Sequence, residues 1–177
     1  MRKTLVTLIA LFIGGISYIT AQSLNGNWRA YLEAESDEDI PVNIFMTFTN
    51  NNKATLSMSF SQDLEEVGTF NCEISFQGQY NYNAPKFKLE FDSKTQKVDF
   101  NIQYNEAGKA LLAADPSMEK TINDALREGI EDGLKEEGDE LISVFNDKTY
   151  TVENLKQDSF DLIAKKKVHF VRVKTTK

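Results

Sequence analysis

From Trp28 onward the apolar positions of the chain recur every second residue. Val42, Ile44, Met46 and Phe48 alternate with Asn43, Thr47 and Thr49, with Phe45 as the exception, and Asn50-Asn51-Asn52 then supplies turn chemistry. Ala54, Leu56, Met58 and Phe60 repeat the pattern against Thr55, Ser57 and Ser59. So do Phe70, Cys72, Ile74 and Phe76, then Phe87, Leu89 and Phe91, then Val98, Phe100, Ile102 and Tyr104. A period of two turns one set of side chains inward and leaves the other in water, the mark of antiparallel sheet. Short, evenly spaced runs with turn signals between them predict a sandwich or an up-and-down barrel. One inward face per strand, with no second inward set, favours the barrel.

One interval departs from that period. Asp115-Pro116 reads as an N-cap followed by proline at the first helical position, where the missing N–H costs nothing. Met118, Ile122, Leu126, Ile130 and Leu134 then recur every four residues, predicting a helix over about 116–137, with Glu119 in its first turn where the helix dipole favours an acid. Beside this stripe run Ala125, Gly129 and Gly133. Each interior glycine costs roughly 1 kcal/mol against alanine, so close approach of the helix backbone to the barrel is the expected compensation. Between Asp115 and Glu140 ten acids stand against Lys120, Arg127 and Lys135. That charge reads as a solvated helix face or, alternatively, as a docking face for a basic partner.

Four further runs follow: Leu141–Phe145, Thr149–Leu155, Phe160–Ala164 and Val168–Lys174, separated by turn residues such as Asn146-Asp147-Lys148 and Lys165-Lys166-Lys167. A closed antiparallel barrel needs an even number of strands. Counting Leu141–Phe145 as a strand makes the total ten and brings Arg172 to the same end as Trp28; omitting it makes nine and separates them. The expectation is a mainly β, up-and-down antiparallel β-barrel of about eight to ten strands, ten being the preferred count, with one inserted α-helix.

Charge and leader chemistry set the compartment. Arg2 and Lys3 precede an apolar run from Leu5 to Ile19, and Ala21-Gln22 offers a cleavage point, so residues 1–21 read as a secretory signal peptide and 22–177 as a single domain. The net charge is −7, and removing Arg2 and Lys3 makes it −9. Such a chain repels nucleic acid and anionic membrane surfaces. No second apolar stretch approaches spanning length. The protein is expected to be exported, periplasmic or secreted. Cys72 is its only cysteine, so no internal disulfide forms.

Gly26-Asn27-Trp28 opening the first strand and Arg172 near the end of the last carry a resemblance to the lipocalin-like (calycin) group, in a divergent bacterial exported form. The resemblance covers most of residues 24–174. It implies a barrel floor of Gly26, Trp28 and Arg172, with the guanidinium packed across the indole. Arg29, the other strand-borne arginine, points to the opposite face. Two features depart from the group: Asn146-Asp147 and Tyr150 match its middle loop motif poorly, and the helix precedes the last strands.

With the Trp28 end closed, the other end is the mouth. Ile44, Met46, Met58, Phe60, Phe70, Cys72, Phe91 and Phe100, with Val42 and Val98 beside them, are the candidate wall of an apolar ligand pocket. The competing reading is that these side chains fill the barrel. Glu33–Asp39 and Asp63–Glu66 hold eight acids and no base, while Lys165–Lys167 cluster on another mouth turn. An anionic ligand would use the lysines, and a neutral or cationic one would suit the acids. Cys72 reads as a small buried hydrophobe. His169, the only histidine, is predicted outside the barrel. No metal spacing, phosphate loop, nucleophile motif or EF-hand loop is present, so no cofactor, metal or catalytic residue is expected. The leading function is a non-enzymatic exported protein holding a small apolar, lipid-like molecule. The alternative is a protein-interaction or inhibitor module with a filled barrel, acting through its mouth loops or acidic helix.

Overall fold

Strands β1 (Gly26–Leu32), β2 (Val42–Phe48), β3 (Lys53–Asp63), β4 (Gly68–Asn83) and β5 (Lys86–Tyr104) come first in the chain. Helices α1 (Glu106–Ala114) and α2 (Ser117–Ser143) follow, then β6 (Thr149–Glu153), β7 (Ser159–Ile163) and β8 (Lys167–Arg172). This computed structural model describes residues 23–33, 41–146 and 148–174. The predicted signal segment and the acidic residues 34–39 lie outside them. Each strand pairs antiparallel with the next, and β8 pairs with β1, closing an up-and-down barrel.

The closed ring has eight strands, not the preferred ten, and both differences have local causes. Leu141–Phe145 is not a strand: α2 continues to Ser143, and the chain then turns through Val144–Asn146. Ile142 and Phe145 are buried there on the helix's periodicity rather than a strand's. The runs at Phe87–Phe91 and Val98–Tyr104 are one strand, β5, interrupted by a bulge. Ser75 on β4 faces Lys97, whereas Gln77 faces Asp92. The extra β5 residues shift the inward positions from odd (87, 89, 91) to even (98, 100, 102). The Thr95 hydroxyl fills the gap: it accepts from the Gln77 N–H at 2.7 Å and lies 2.6 Å from the Asp92 carbonyl. Losing two strands together keeps the total even, so Trp28 and Arg172 still share an end.

Helix α1 is an addition to the predicted elements. The Asn105 side chain accepts from the Gly108 N–H at 2.8 Å and donates to the Glu65 carbonyl at 3.0 Å, capping the helix and tying it to the β3–β4 turn. A Cβ at Gly108 would stand 2.1 Å from the Val67 carbonyl oxygen, so α1 packs on that turn through a residue without a side chain. At the start of α2, Asp115 accepts from the Ser117 N–H at 3.0 Å, but Pro116 takes the N-cap place rather than the first helical position, and Asp115 lies one residue outside it. The second half of the Met118–Leu134 stripe faces the barrel, with Leu126 and Ile130 packed on the core and Leu134 buried. The expected close approach through Gly129 and Gly133 does not occur. Both are exposed, with nothing within 4 Å of a Cβ built on either.

Strand lengths give the barrel a high side and a low side. β3, β4 and β5 run 11, 16 and 19 residues, against 5, 5 and 6 for β6, β7 and β8. β5 pairs with β6 only through Lys86, Phe87 and Lys88, so its course toward Tyr104 stands above the short strands. Helix α2 descends from the top of this wall to the start of β6. It is moored at its lower end: the Phe145 ring meets Phe91 at 6.1 Å edge to face, and Tyr150 donates its hydroxyl to the Val144 carbonyl. Burial pushes the Tyr150 phenol up to about 12. The Asn146 amide accepts from the Phe91 N–H at 2.7 Å and donates to its carbonyl at 2.9 Å, completing the hydrogen bonds that a neighbouring strand would otherwise make there.

Candidate functional site

The floor is built from both ends of the chain. Trp28 on β1 and Arg172 on β8 are register partners, and the guanidinium carbon stands 4.1 Å from the indole ring centre. Its Nε donates to the Gln157 carbonyl at 2.6 Å and its Nη1 to the Asn25 carbonyl at 2.8 Å, which fixes the cation over the ring. Gly26, at φ +128°, is the position where a side chain would block this arrangement, since a Cβ there would lie 2.3 Å from Arg172 Nη1. Beneath the cation the indole is buried, its Nε1 donating to the Leu24 carbonyl at 2.6 Å and its ring meeting Phe160 edge on at 4.8 Å. Gly26, Trp28 and Arg172 are thus brought together, while Arg29 is exposed on the other face beside Val171.

Above the floor, burial changes by level. Trp28, Met46, Phe48, Leu56, Phe76, Phe87, Leu89, Phe160 and Phe170 fill the lower interior and are almost wholly inaccessible. Met46 belongs to this plug: it is Trp28's direct partner on β2, below the other pocket candidates. Ile44 and Ile74 at the next level, Cys72 above them and Phe70 above that, on β2 and β4, are also buried. On β3 and β5, Met58 and Val98 beside Ile74, Phe60 and Phe100 beside Cys72, and Ile102 beside Phe70 point inward yet are only half-buried, as is Val42 on β2, and Leu126 and Ile130 of α2 pack on the core with the same partial exposure. Phe91 stands apart, against Phe145 where helix and wall meet. The Arg127 guanidinium lies 5.2 Å over the Phe100 ring at the helix–wall boundary. Six of the eight predicted wall residues (Ile44, Met58, Phe60, Phe70, Cys72, Phe100) therefore point into the barrel interior above the level of Trp28.

Burial pushes the Cys72 thiol up from its ordinary value, which leaves it protonated and a poor nucleophile. His169 is outside the barrel, as its parity predicts, but it has partners that parity alone does not reveal. Asp161, 3 % exposed on the outer face of β7, holds His169 Nδ1 at 2.7 Å, Lys167 Nζ at 2.8 Å and the Asn154 amide at 2.6 Å. Hydrogen bonds from Lys167, Asn154 and His169 hold its carboxyl well below the usual carboxylate range. Lys167 is thereby committed to a clamp on the β6–β8 side and is not a free lysine at the mouth. A carboxyl depressed in the folded state contributes stability above its unfolded pKa of about 3.9 and loses that contribution as pH falls below it. The melting temperature should accordingly fall with acidification from pH 5 to pH 2. Asp161→Asn should cost about 2 kcal/mol at pH 7 and flatten that acid limb; a limb of unchanged slope would refute the assignment.

Among the described residues no group of three or more His, Cys, Asp or Glu side chains could hold a metal ion, and no helix is long and apolar enough to cross a membrane. No family model matches the chain, and no curated protein matches it.

Proposed function

We propose that this chain is a lipocalin-like carrier, exported and non-enzymatic, which holds a small apolar molecule in the slot between the β3–β5 wall and helix α2. The observation that carries the reading is the partial exposure of the inward apolar side chains of β3 and β5 above the floor. Packing to crystal-like density is the rule in protein interiors, and the lower barrel obeys it. The inward apolar side chains of β3 and β5 above the floor (Met58, Phe60, Val98, Phe100 and Ile102) do not reach it, although their chemistry matches that of the buried ones below. Such side chains remain partly in water at a cost of about 25 cal/mol per Å². An apolar ligand would remove that cost, and α2, moored at Phe145 and Asn146, would cover it.

The floor supports the same reading. Trp28 and Arg172 close one end with a cation–π stack, as the lipocalin-like resemblance implies, leaving access from the side where the wall and helix are least tightly packed. Arg127 at the helix–wall boundary offers a positive rim for a ligand with a polar or anionic end, and the acidic exposed face of α2 turns away from the slot.

A fluorescent apolar probe should bind the purified protein saturably. Met58→Trp, which places an indole in the slot, should weaken the probe by about tenfold, a loss of 1.4 kcal/mol, while the melting temperature stays near that of the parent. Native mass spectrometry of protein taken from its own source, followed by solvent extraction, should reveal an apolar passenger. A clean unliganded mass together with no probe uptake would remove the carrier reading.

A further inference from the structure

We propose that the molecule carried above the floor is a long-chain neutral carbonyl compound, an ester or ketone, whose oxygen accepts a hydrogen bond from Tyr104. The inference rests on the carrier reading and names the chemistry of its passenger.

Tyr104 is the last residue of β5, where it pairs with Gly68 and continues the inward set of Val98, Phe100 and Ile102. Its hydroxyl is shut off from solvent, yet it has no hydrogen-bond partner. Among the described residues no other buried side-chain nitrogen or oxygen is left in that state. Protein interiors pair nearly all such groups, so the exception calls for a cause. The ring packs under α1, its Cδ1 3.1 Å from where a Cβ on Gly108 would stand. The first turn of α2 is near enough for the Glu119 carboxylate to act on the phenol. Burial first, and that charge second, push the phenol up from its ordinary value, so it stays protonated and able to donate.

Below this hydroxyl the inward surface is apolar. Ile102 stands beside Phe70, Phe100 beside Cys72, and Val98 beside Ile74. The Phe70 ring lies 6.2 Å from Phe60 and 5.9 Å from Phe100, making one aromatic band across β3, β4 and β5. From Val98 to Tyr104 the strand rises roughly 20 Å, at about 3.4 Å per residue. An extended hydrocarbon chain along that path would cover the half-exposed side chains, with its oxygen at the upper end.

Charge decides between a neutral and an anionic head. A carboxylate there would give up water beside Glu119, a like charge. The bases closest in sequence, Lys109 on α1 and Lys120 on α2, are exposed and paired with Glu106 and Asp124. A carbonyl oxygen accepts the phenol's proton without that penalty, and a plain hydrocarbon would leave the hydroxyl unpaired.

Displacement of diphenylhexatriene, a fluorescent hydrocarbon with no acceptor, from the full chain at neutral pH tests the inference. Methyl laurate should displace it about tenfold more tightly than laurate does. Tyr104→Phe should weaken methyl laurate by about tenfold and leave diphenylhexatriene and laurate within twofold of the parent. Without ligand the same variant should melt about 3 °C higher, because a buried hydroxyl with no partner is gone. A lower melting temperature would show that the hydroxyl serves the fold and would overturn the assignment. Equal affinities for ester and carboxylate, or no loss of ester binding in the variant, would overturn it as well, while saturable diphenylhexatriene uptake would keep the carrier reading standing. No uptake of diphenylhexatriene by the parent would remove both.

Discussion

Trp28→Ala is expected to lower the unfolding free energy by about 4 kcal/mol, the range for deleting a fully buried aromatic side chain. Against a typical total of about 5–15 kcal/mol for a domain, that removes between about a quarter and four fifths of the stability. The loss has several parts, all at one residue: the indole's burial, its edge contact with Phe160 at 4.8 Å, its hydrogen bond to Leu24 and the stacked guanidinium. Arg172→Ala should cost about 2 kcal/mol, through the lost stack and two lost charge-assisted hydrogen bonds to the Gln157 and Asn25 carbonyls. The two losses should not add. Once the indole is gone the cation has no ring to cover, so a double-mutant cycle in urea should return a coupling of about 1 kcal/mol. Additive losses would mean that the stack contributes nothing of its own.

The second large effect is expected at Gly78, in the middle of β4. It stands between Ala54 and Phe91 in the sheet, and a Cβ there would lie 2.1 Å from the Glu90 carbonyl oxygen and 2.7 Å from Phe91 Cα. The collision is with backbone, so no rotamer change relieves it, and β4 would have to move away from β5 beside the bulge. Gly78→Val should cost about 3 kcal/mol. Amide hydrogen exchange should accelerate first along Gln77–Tyr80 and Leu89–Asp92. Gly129→Ala, in open space on α2, is the control: it should stabilise by up to about 1 kcal/mol. Equal effects at the two sites would show that the close strand approach is absent.

That contrast between glycines also marks where sequence reasoning works and where it stops. Alternation identified the inward apolar positions of β2, β3 and the first half of β4, because a one-residue slip would expose the whole apolar set; Tyr80 and Tyr82, packed on Phe87 further along β4, were missed. The floor was legible because Trp28, Gly26 and Arg172 are chemically distinctive and sit at strand ends. The β5 bulge was not. A change of inward parity between Phe91 and Val98 looks the same as two strands with a polar turn between them, and only the Thr95 hydrogen bonds show that the ladder continues. Leu141–Phe145 is a short apolar run of the kind that fits strand or helix equally, and α2 settles it by extending. Helix α1 has nine residues and little of a stripe; its signal was the Asn105 cap three residues before Gly108. The glycines of α2 were misjudged because a stripe of small residues shows that close packing is possible, not that it happens. The Asp161 clamp depends on register between strands, which parity along a single strand does not supply. Asp161, Lys167 and His169 could each be assigned to the outer face, but not to one another.

The ring's closure has a kinetic consequence. Most strand pairs from β1–β2 through β7–β8 join neighbours in sequence, so hairpins can form early and at small entropic cost, whereas β5–β6 spans both helices and sets Lys86 opposite Thr151. The β8–β1 seam is different: Arg172 reaches the Asn25 carbonyl across 147 residues of chain. Closing so long a loop costs more entropy than any hairpin, with the cost rising as the logarithm of its length, and contacts of that separation slow folding. The last event in folding is therefore the arrival of the final strand beside the first. Until it arrives, β1 and β8 each expose an unpaired edge, the surface through which incomplete sheets associate with one another.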